Sequence, residues 1–289
     1  YKHVMDFASS FDNVDFKYTD IERIDAEGDK AQVRTASGTY AAPFVFNSTA
    51  LFHPEMNPEN SLLQHFTGWV IRTDQPVFDE KVGTLMDFRL DQNHGTTFMY
   101  VLPTSSTEAL IEYTLFTEKV LEKEEYKSAL KDYIRDYLNL ETYEILHTEI
   151  GVIPMSLARF ESSPNGSGSI VNIGTAGGFT KASSGYTFQF IQKNTESILE
   201  AMKKEKSPNV TTRFREQMYQ WYDRTLLDVL IENKMEGREV FARIFRKRSP
   251  NSILAFLGNE SSAWEDLQIM SSLPILPFLT SGIKQLIKR

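Results

Sequence analysis

The chain has no cysteine, which excludes disulfides, thiolate nucleophiles and cysteine-ligated metal or iron–sulfur centres. Its histidines, His3, His53, His65, His94 and His147, are scattered without HExxH or comparable spacing, so no metal centre is expected. A strand–GxGxxG–helix fingerprint is also missing. The one GxG, Gly166-Ser167-Gly168, lacks a third glycine and follows Ser162-Ser163-Pro164-Asn165, which has the composition of a hairpin turn. No run of eighteen apolar residues exists, so no membrane span is expected, and no secretory leader pattern is visible. Positive charge is in deficit: the net charge is −8, which argues against nucleic acid as a partner. The deficit is uneven, because residues 238–289 hold eight Lys or Arg against four Asp or Glu and carry +4, leaving −12 on residues 1–237.

What is present is enough apolar material, 41% of 289 residues, for one large or two ordinary domains with a sizeable core. The chain is organised around Gly174-Thr175-Ala176-Gly177-Gly178 and its continuation to Phe188. The β-branched run 169–173 feeds into these small residues, and a helix is predicted over residues 184–204. A strand, a tight turn and a helix start leave backbone N–H groups free for an anionic group, and glycine permits close approach of a large planar ligand. An ordinary strand-to-helix loop that uses glycine has the same composition.

Taken in order, residues 13–24, 31–35 and 40–47 read as three strands of an antiparallel meander. The last ends at Asn47-Ser48, either a plain strand exit or a place to bond the edge of a buried ligand. Residues 49–63 read as a crossing loop. Strands are predicted at 64–73, 83–89, 96–102, 109–116 and 142–154 from their β-branched and aromatic content, with a solvent-facing helix at 119–138. The rest is helical, at 211–233, 238–245, 250–257, 263–270 and 276–288. Phe214, Tyr219, Trp221 and Tyr222 read as core packing. Residues 269–287 are apolar, interrupted by Pro274 and Pro277 and followed by Lys288-Arg289. This end reads as a helical cap or as an in-plane membrane contact.

One charged residue stands out within the predicted sheet, in Leu110-Ile111-Glu112-Tyr113-Thr114-Leu115-Phe116. A desolvated Glu112 would stay protonated near neutral pH and could act as a general acid. Strand alternation puts it on the face opposite Ile111 and Tyr113, where it is equally a solvated glutamate.

Over essentially its whole length the chain resembles the lycopene cyclases, FAD-dependent enzymes of carotenoid synthesis. The resemblance rests on Gln64-His65-Phe66-Thr67-Gly68-Trp69, Thr84-Leu85-Met86-Asp87-Phe88-Arg89, Phe98-Met99-Tyr100-Val101-Leu102-Pro103, Leu110 to Thr114, and Gly174 to Phe188. It implies an α+β fold of the flavin-hydroxylase type. Residues 1–50 and 155–205 would form an incomplete FAD-binding domain, 51–154 an antiparallel-sheet substrate domain, and 206–289 a C-terminal helical cap with possible membrane contact. It implies that Glu112 is the acid of cyclisation, and that Gly174, Thr175, Ala176, Gly177, Gly178, Lys181, Ser184, Gly185 and Tyr186 bind the flavin. The second acidic position of many members is Tyr113 here, so no carboxylate pair is expected at that spot. The histidine-proline usual in the flavin segment is Lys181-Ala182.

The family's dinucleotide-binding βαβ unit has no counterpart in the sequence, which begins at Tyr1, so the chain alone is expected to be an incomplete enzyme. The implied function is a non-redox cyclisation of the ψ end groups of lycopene or a related linear carotene to β rings, with reduced FAD and NAD(P)H as the reductant. The implied location is a membrane surface on its cytoplasmic side. A flavin monooxygenase, an isoprenoid reductase or a non-catalytic carotenoid- or lipid-binding module are the alternatives.

Overall fold

The computed structural model describes residues 2–209 and 214–287. The predicted start of a helix at Thr211 and the basic pair Lys288-Arg289 lie outside the described residues. In chain order the strands are β1 (Ile21–Glu27), β2 (Lys30–Thr35), β3 (Gly38–Ala42), β4 (Val45–Asn47), β5 (Ser61–Arg72), β6 (Thr84–Asp87), β7 (Thr96–Pro103), β8 (Glu108–Thr117), β9 (Glu144–Ser156) and β10 (Ile170–Asn172). The helices are α1 (Lys2–Ala8), α2 (Lys123–Leu138), α3 (Phe188–Lys203), α4 (Phe214–Ile231), α5 (Gly237–Lys247), α6 (Pro250–Leu257), α7 (Ala263–Met270) and α8 (Ile275–Ile287). They fall into two units. The first takes the described residues of 1–53, 160–177 and 197–210, and the second those of 54–159, 178–196 and 211–289.

The first unit contains the antiparallel meander β1-β2-β3 and a parallel pair, β4 with β10. Two sequence expectations change here. Residues 14–20 alternate but are not strand, because β1 pairs with β2 only from Ile21 onward and Tyr18 beyond it is 89% exposed. Residues 40–47 split into β3 and β4: Pro43 lacks the N–H a ladder needs, and beyond it the chain leaves the meander to pair with β10. A small core of Ile24, Ala31 and Ile170 holds the unit. Asn47, weighed above as a ligand contact, spends its amide on the protein. Its Nδ2 donates to Asn172 Oδ1 at 2.8 Å, and its Oδ1 accepts from the Thr49 N–H at 3.0 Å.

The second unit is built on the predicted five-stranded sheet, in the order β6-β7-β8-β5-β9 with every pairing antiparallel. Period-2 alternation sorts its side chains between two faces. On one face Trp69, Ile71, Met99, Ile111 and Leu115 pack against Tyr126, Leu130, Tyr133 and Ile134 of α2. That helix begins four residues later than predicted, where Glu122 and Glu125 form a capping box. On the other face Leu62, Phe98, Phe116 and Met155 pack against Leu227 and Leu230 of α4 and Phe241 of α5.

The bounds of α6 and α7 agree with the sequence reading. Pro277 does not interrupt α8, since it sits in the first turn, where an N–H has no intrahelical partner to lose. Of the four aromatics expected in the core, Tyr219 is buried and Tyr222 stacks on Phe256 at 6.4 Å, but Phe214 is 77% exposed.

The seat of α5 on β7 depends on Gly237. A Cβ there would stand 2.0 Å from Thr96 Oγ1 and 2.7 Å from its Cγ2. Gly237→Ala is therefore expected to lower stability by about 1–3 kcal/mol through overpacking, read as a lower urea midpoint with an unchanged slope.

Candidate functional site

Glu112 lies on the face of the sheet away from α2, in a cleft of about 420 Å³. All five strands contribute to it. Its apolar walls are Phe66 of β5, Leu85 of β6, Leu102 of β7 and Ile153 of β9, and its polar groups are Gln64, Tyr100, Tyr186 and Thr187. Ladder register explains the convergence: Glu112 stands opposite Tyr100 on β7 and opposite Gly68 on β5, while Gly68 stands opposite Glu149 on β9. Glu112, Gly68 and Glu149 thus form one row across three strands. In the next row Thr114, Phe66 and Gly151 are aligned, and the Phe66 ring occupies the space over Gly151, where a Cβ would lie 2.3 Å from it.

Glu112 is only part-buried by surface exposure, yet its carboxyl sits among protein atoms. Thr114 Oγ1 donates to its Oε1 at 2.8 Å. Burial pushes its pKa up to about 7, the Thr114 hydroxyl opposes the rise, and a hydrogen bond with Glu149 and that group's charge add to it. Beside it Tyr100 and Tyr186 hydrogen-bond to each other, and burial raises both phenols above their ordinary value. The site therefore holds a carboxylic acid that is half protonated near neutral pH, walled by aliphatic and aromatic groups. It can deliver a proton to an apolar ligand.

The residues expected to bind a flavin are divided between the two units. Gly174, Thr175, Ala176 and Gly177 form a short 3-10 turn after β10 in the first unit. α3 begins at Phe188 rather than at residue 184, so this turn is not the N-terminus of the long helix, and the anion-site argument made for it from sequence does not hold. The strand leads into the turn as predicted, but ten residues, 178–187, carry the chain onward in the second unit before α3, with Gly178, Lys181, Ser184, Gly185 and Tyr186 among them. Of these, Gly185 and Tyr186 line the cleft.

Lys181 faces elsewhere. Its side chain is 1% exposed, and the ammonium lies 2.6 Å from Asp223 Oδ1 and 2.7 Å from Asn259 Oδ1 and stands over the rings of Tyr219 and Phe256. The loop it starts is closed by backbone bonds, Lys181 N–H to Tyr186 O and Gly185 N–H to Lys181 O, both at 2.8 Å. Gly185 has φ +70°, and its missing Cβ leaves room for Gln64 Oε1. Gln64 Oε1 and Ser184 Oγ are buried with no hydrogen-bond partner among the described residues.

Glu149 is the neighbour of Glu112 that sequence reasoning missed. It stands in an exposed-looking strand, 37 positions from Glu112, and no local spacing links the two. The available signal was Gly68: a glycine inside a strand otherwise rich in large side chains marks a close approach.

The chain is matched over residues 5–282 by the family model described as lycopene cyclase protein. None of the curated proteins matches it. Among solved structures it is similar to a geranylgeranyl bacteriochlorophyll reductase-like protein from Thermoplasma acidophilum, with a TM-score of 0.55, 11% identity and coverage of 88% of this chain and 66% of that one. FqzB gives a TM-score of 0.51, 12% identity and coverage of 95% and 70%. HpxO from Klebsiella pneumoniae, a complex with FAD and uric acid, gives 0.48, 11%, 84% and 66%. The chain spans about two thirds of the length of these structures. The fold expected from sequence, α+β of the flavin-hydroxylase type with C-terminal helices, is the one observed.

Because Lys181 anchors the loop that carries Tyr186, its ion pair is open to test. Lys181→Met leaves Asp223 charged and buried, and a loss of about 3–5 kcal/mol is expected. Adding Asp223→Leu should recover most of that loss in urea unfolding, because the uncompensated charge is then gone.

Proposed function

Because the chain belongs to the lycopene cyclase family, we propose that it carries the acid and the end-group pocket of a cyclase that converts the ψ ends of lycopene or a related linear carotene to β rings. The observation that carries this reading is the placing of Glu112 in an apolar cleft, where burial pushes its pKa up to about 7. A polyene offers no polar handle, so reaction must start by adding a proton to the terminal double bond. Glu112 donates it. The tertiary cation that results is attacked by the next double bond, closing the ring, and a ring proton is then lost, so there is no net redox change. Phe66, Leu85, Leu102 and Ile153 keep water from the cation, and the same apolar surroundings hold the proton on the acid. Phe66, Tyr100 and Tyr186 add aromatic rings to the lining, groups that attract positive charge over their faces. A volume of about 420 Å³ is in the range of small-molecule sites and suits the end of a polyene rather than its whole length.

FAD, reduced by NAD(P)H, belongs to this reading as the cofactor. Its fit is supported by Gln64 Oε1 and Ser184 Oγ, two buried atoms without partners that an isoalloxazine edge with N–H and carbonyl groups would satisfy. Those residues, with Gly185 and Tyr186, would hold it in the second unit. When bound and reduced it supplies negative charge to stabilise the cation. A related flavin monooxygenase or isoprenoid reductase would consume NAD(P)H in proportion to product, whereas a cyclase needs it only catalytically.

Access to a lipid-borne substrate calls for a membrane contact, and α8 supports one. Ile275, Leu276, Leu279, Ile283, Leu286 and Ile287 are all exposed and fall within one 120° sector at 100° per residue. No helix of the described residues is long and apolar enough to cross a membrane, so the contact would be peripheral. Co-sedimentation of the full-length protein with anionic vesicles is expected, and Leu279→Glu with Ile283→Glu should abolish it.

The decisive experiment is lycopene conversion by the full-length, flavin-loaded protein under reducing, anaerobic conditions. Glu112→Gln keeps shape and removes the proton, so turnover should fall by about 10²–10⁴-fold or more with flavin content unchanged. A variant within tenfold of wild type would leave the acid unidentified. Since the acid works protonated, activity should decline as pH rises through about 7.

A further inference from the structure

We propose that Glu149 is a positioning residue of this site: its carboxylate, brought to Glu112 across the missing side chain of Gly68, holds the proton on Glu112. The proposal rests on the reading of Glu112 as the acid and extends it to a pair drawn from two strands that do not touch each other.

The argument starts from the ladder. β8 and β9 flank β5, and Glu112 and Glu149 are both register partners of Gly68, so all three residues project to one face. Their Cα atoms are separated by two strand spacings, roughly 9–10 Å, which two glutamate side chains can bridge only if the position between them is empty. Gly68 leaves it empty. A Cβ added there would stand 2.9 Å from both Cγ and Oε1 of Glu149, so the Glu149 side chain lies over the glycine and points along the row toward β8.

The division of labour follows from the surroundings. Glu112 sits on an inner strand, in the cleft, while Glu149 is on the edge strand β9 between the exposed residues Thr148 and Ile150. Two carboxylates in contact do not both ionise at little cost. The contact with Glu149 therefore favours the proton on Glu112 in the cleft. The other titratable groups facing Glu112 are Tyr100 from β7 and Tyr186 from the loop before α3. Both stay neutral, and among the described residues no cation acts on Glu112 to offset the charge of Glu149. In catalysis the proton leaves Glu112 for the substrate carbon, and the resulting carboxylate beside a second carboxylate is a base strong enough to take a proton back promptly. The acid is thereby regenerated with no other reagent consumed.

The test needs no cofactor. The infrared carbonyl stretch of a protonated carboxyl is followed against pH in the chain itself, for wild type, Glu112→Gln, Glu149→Gln and Gly68→Ala. Wild type should show a band that titrates near neutral pH and is absent in Glu112→Gln. In Glu149→Gln the repulsion is gone, so the midpoint should drop by about one pH unit or more, a tenfold smaller ratio of protonated to ionised carboxyl at fixed pH. Gly68→Ala keeps both carboxyls but puts a methyl between them, and its midpoint should move the same way. In the loaded full-length protein the alkaline limb of turnover should shift down with the midpoint in both variants. An unchanged or higher midpoint in Glu149→Gln, with the band still absent in Glu112→Gln, overturns the proposal and leaves the acid standing. A band that survives in Glu112→Gln overturns the acid assignment itself, and the pairing with it.

Discussion

The cleft of the second unit depends on the register of one strand. β5 is bonded along its length to β8 on one side and β9 on the other, and side chains alternate with period 2, so register decides which residues meet on each face. A slip of one residue would carry Glu112 into the apolar layer under α2 and bring Ile111 and Tyr113 to the cleft. That layer resists the slip. Ile71, Ile111 and Leu115 are wholly buried with Leu130 and Ile134, and exchanging them for Glu112 and Thr114 would bury polar groups without partners. The face under α2 therefore fixes which residues line the cleft on the other.

The helices that close the other face are held by buried charge as well as apolar area. Asp228 lies against Lys234 at 3.0 Å and Lys284 at 2.7 Å, joining α4 to α8, and these partners keep its carboxyl below the usual range against the opposing effect of burial. Lys181 and Asp223 join the loop before α3 to α4 in the same manner. Such pairs give little net stability, but a pair satisfied in one arrangement only discriminates against others. Their placement suits a region whose apolar residues are partly committed to the exposed side of α8, which leaves less apolar area to define the packing within.

How much of this was legible in the sequence varied with the kind of signal. The sheet was legible because β5, β7 and β8 are dense in β-branched and aromatic residues and are separated by recognisable turns. Glu112 was legible as an anomaly, one charge in an apolar run, although its environment was not, because exposure on the cleft face is set by loop 181–187 and by other strands. The capping boxes at Glu122-Glu125 and Ser262-Glu265 are local signals, and the first, left unread, marks the start of α2 four residues after the predicted one; Pro277 was misread only in its position within a turn. Three features were illegible for one reason: they are made by residues far apart in sequence. Glu149 meets Glu112 through register, Lys181 meets Asp223 through tertiary packing, and the alternation of residues 14–20 found no partner strand to make it a strand.

The raised affinity of Glu112 for its proton also has a cost in stability. A carboxyl that binds its proton more tightly folded than unfolded takes up protons on folding in the interval between its ordinary value and about 7, so the folded state loses stability as pH rises through that window. Two buried carboxylates do the reverse: Asp87 is held down by Arg89 and Tyr133, and Asp228 by its lysines. Nothing in the packing requires Glu112 to differ, since Gly68 leaves space that an apolar residue on either neighbouring strand could fill. An acid kept against its own solvation, next to a second carboxylate rather than a cation, is the kind of local inconsistency that folding does not demand and that proton transfer into an apolar cleft does.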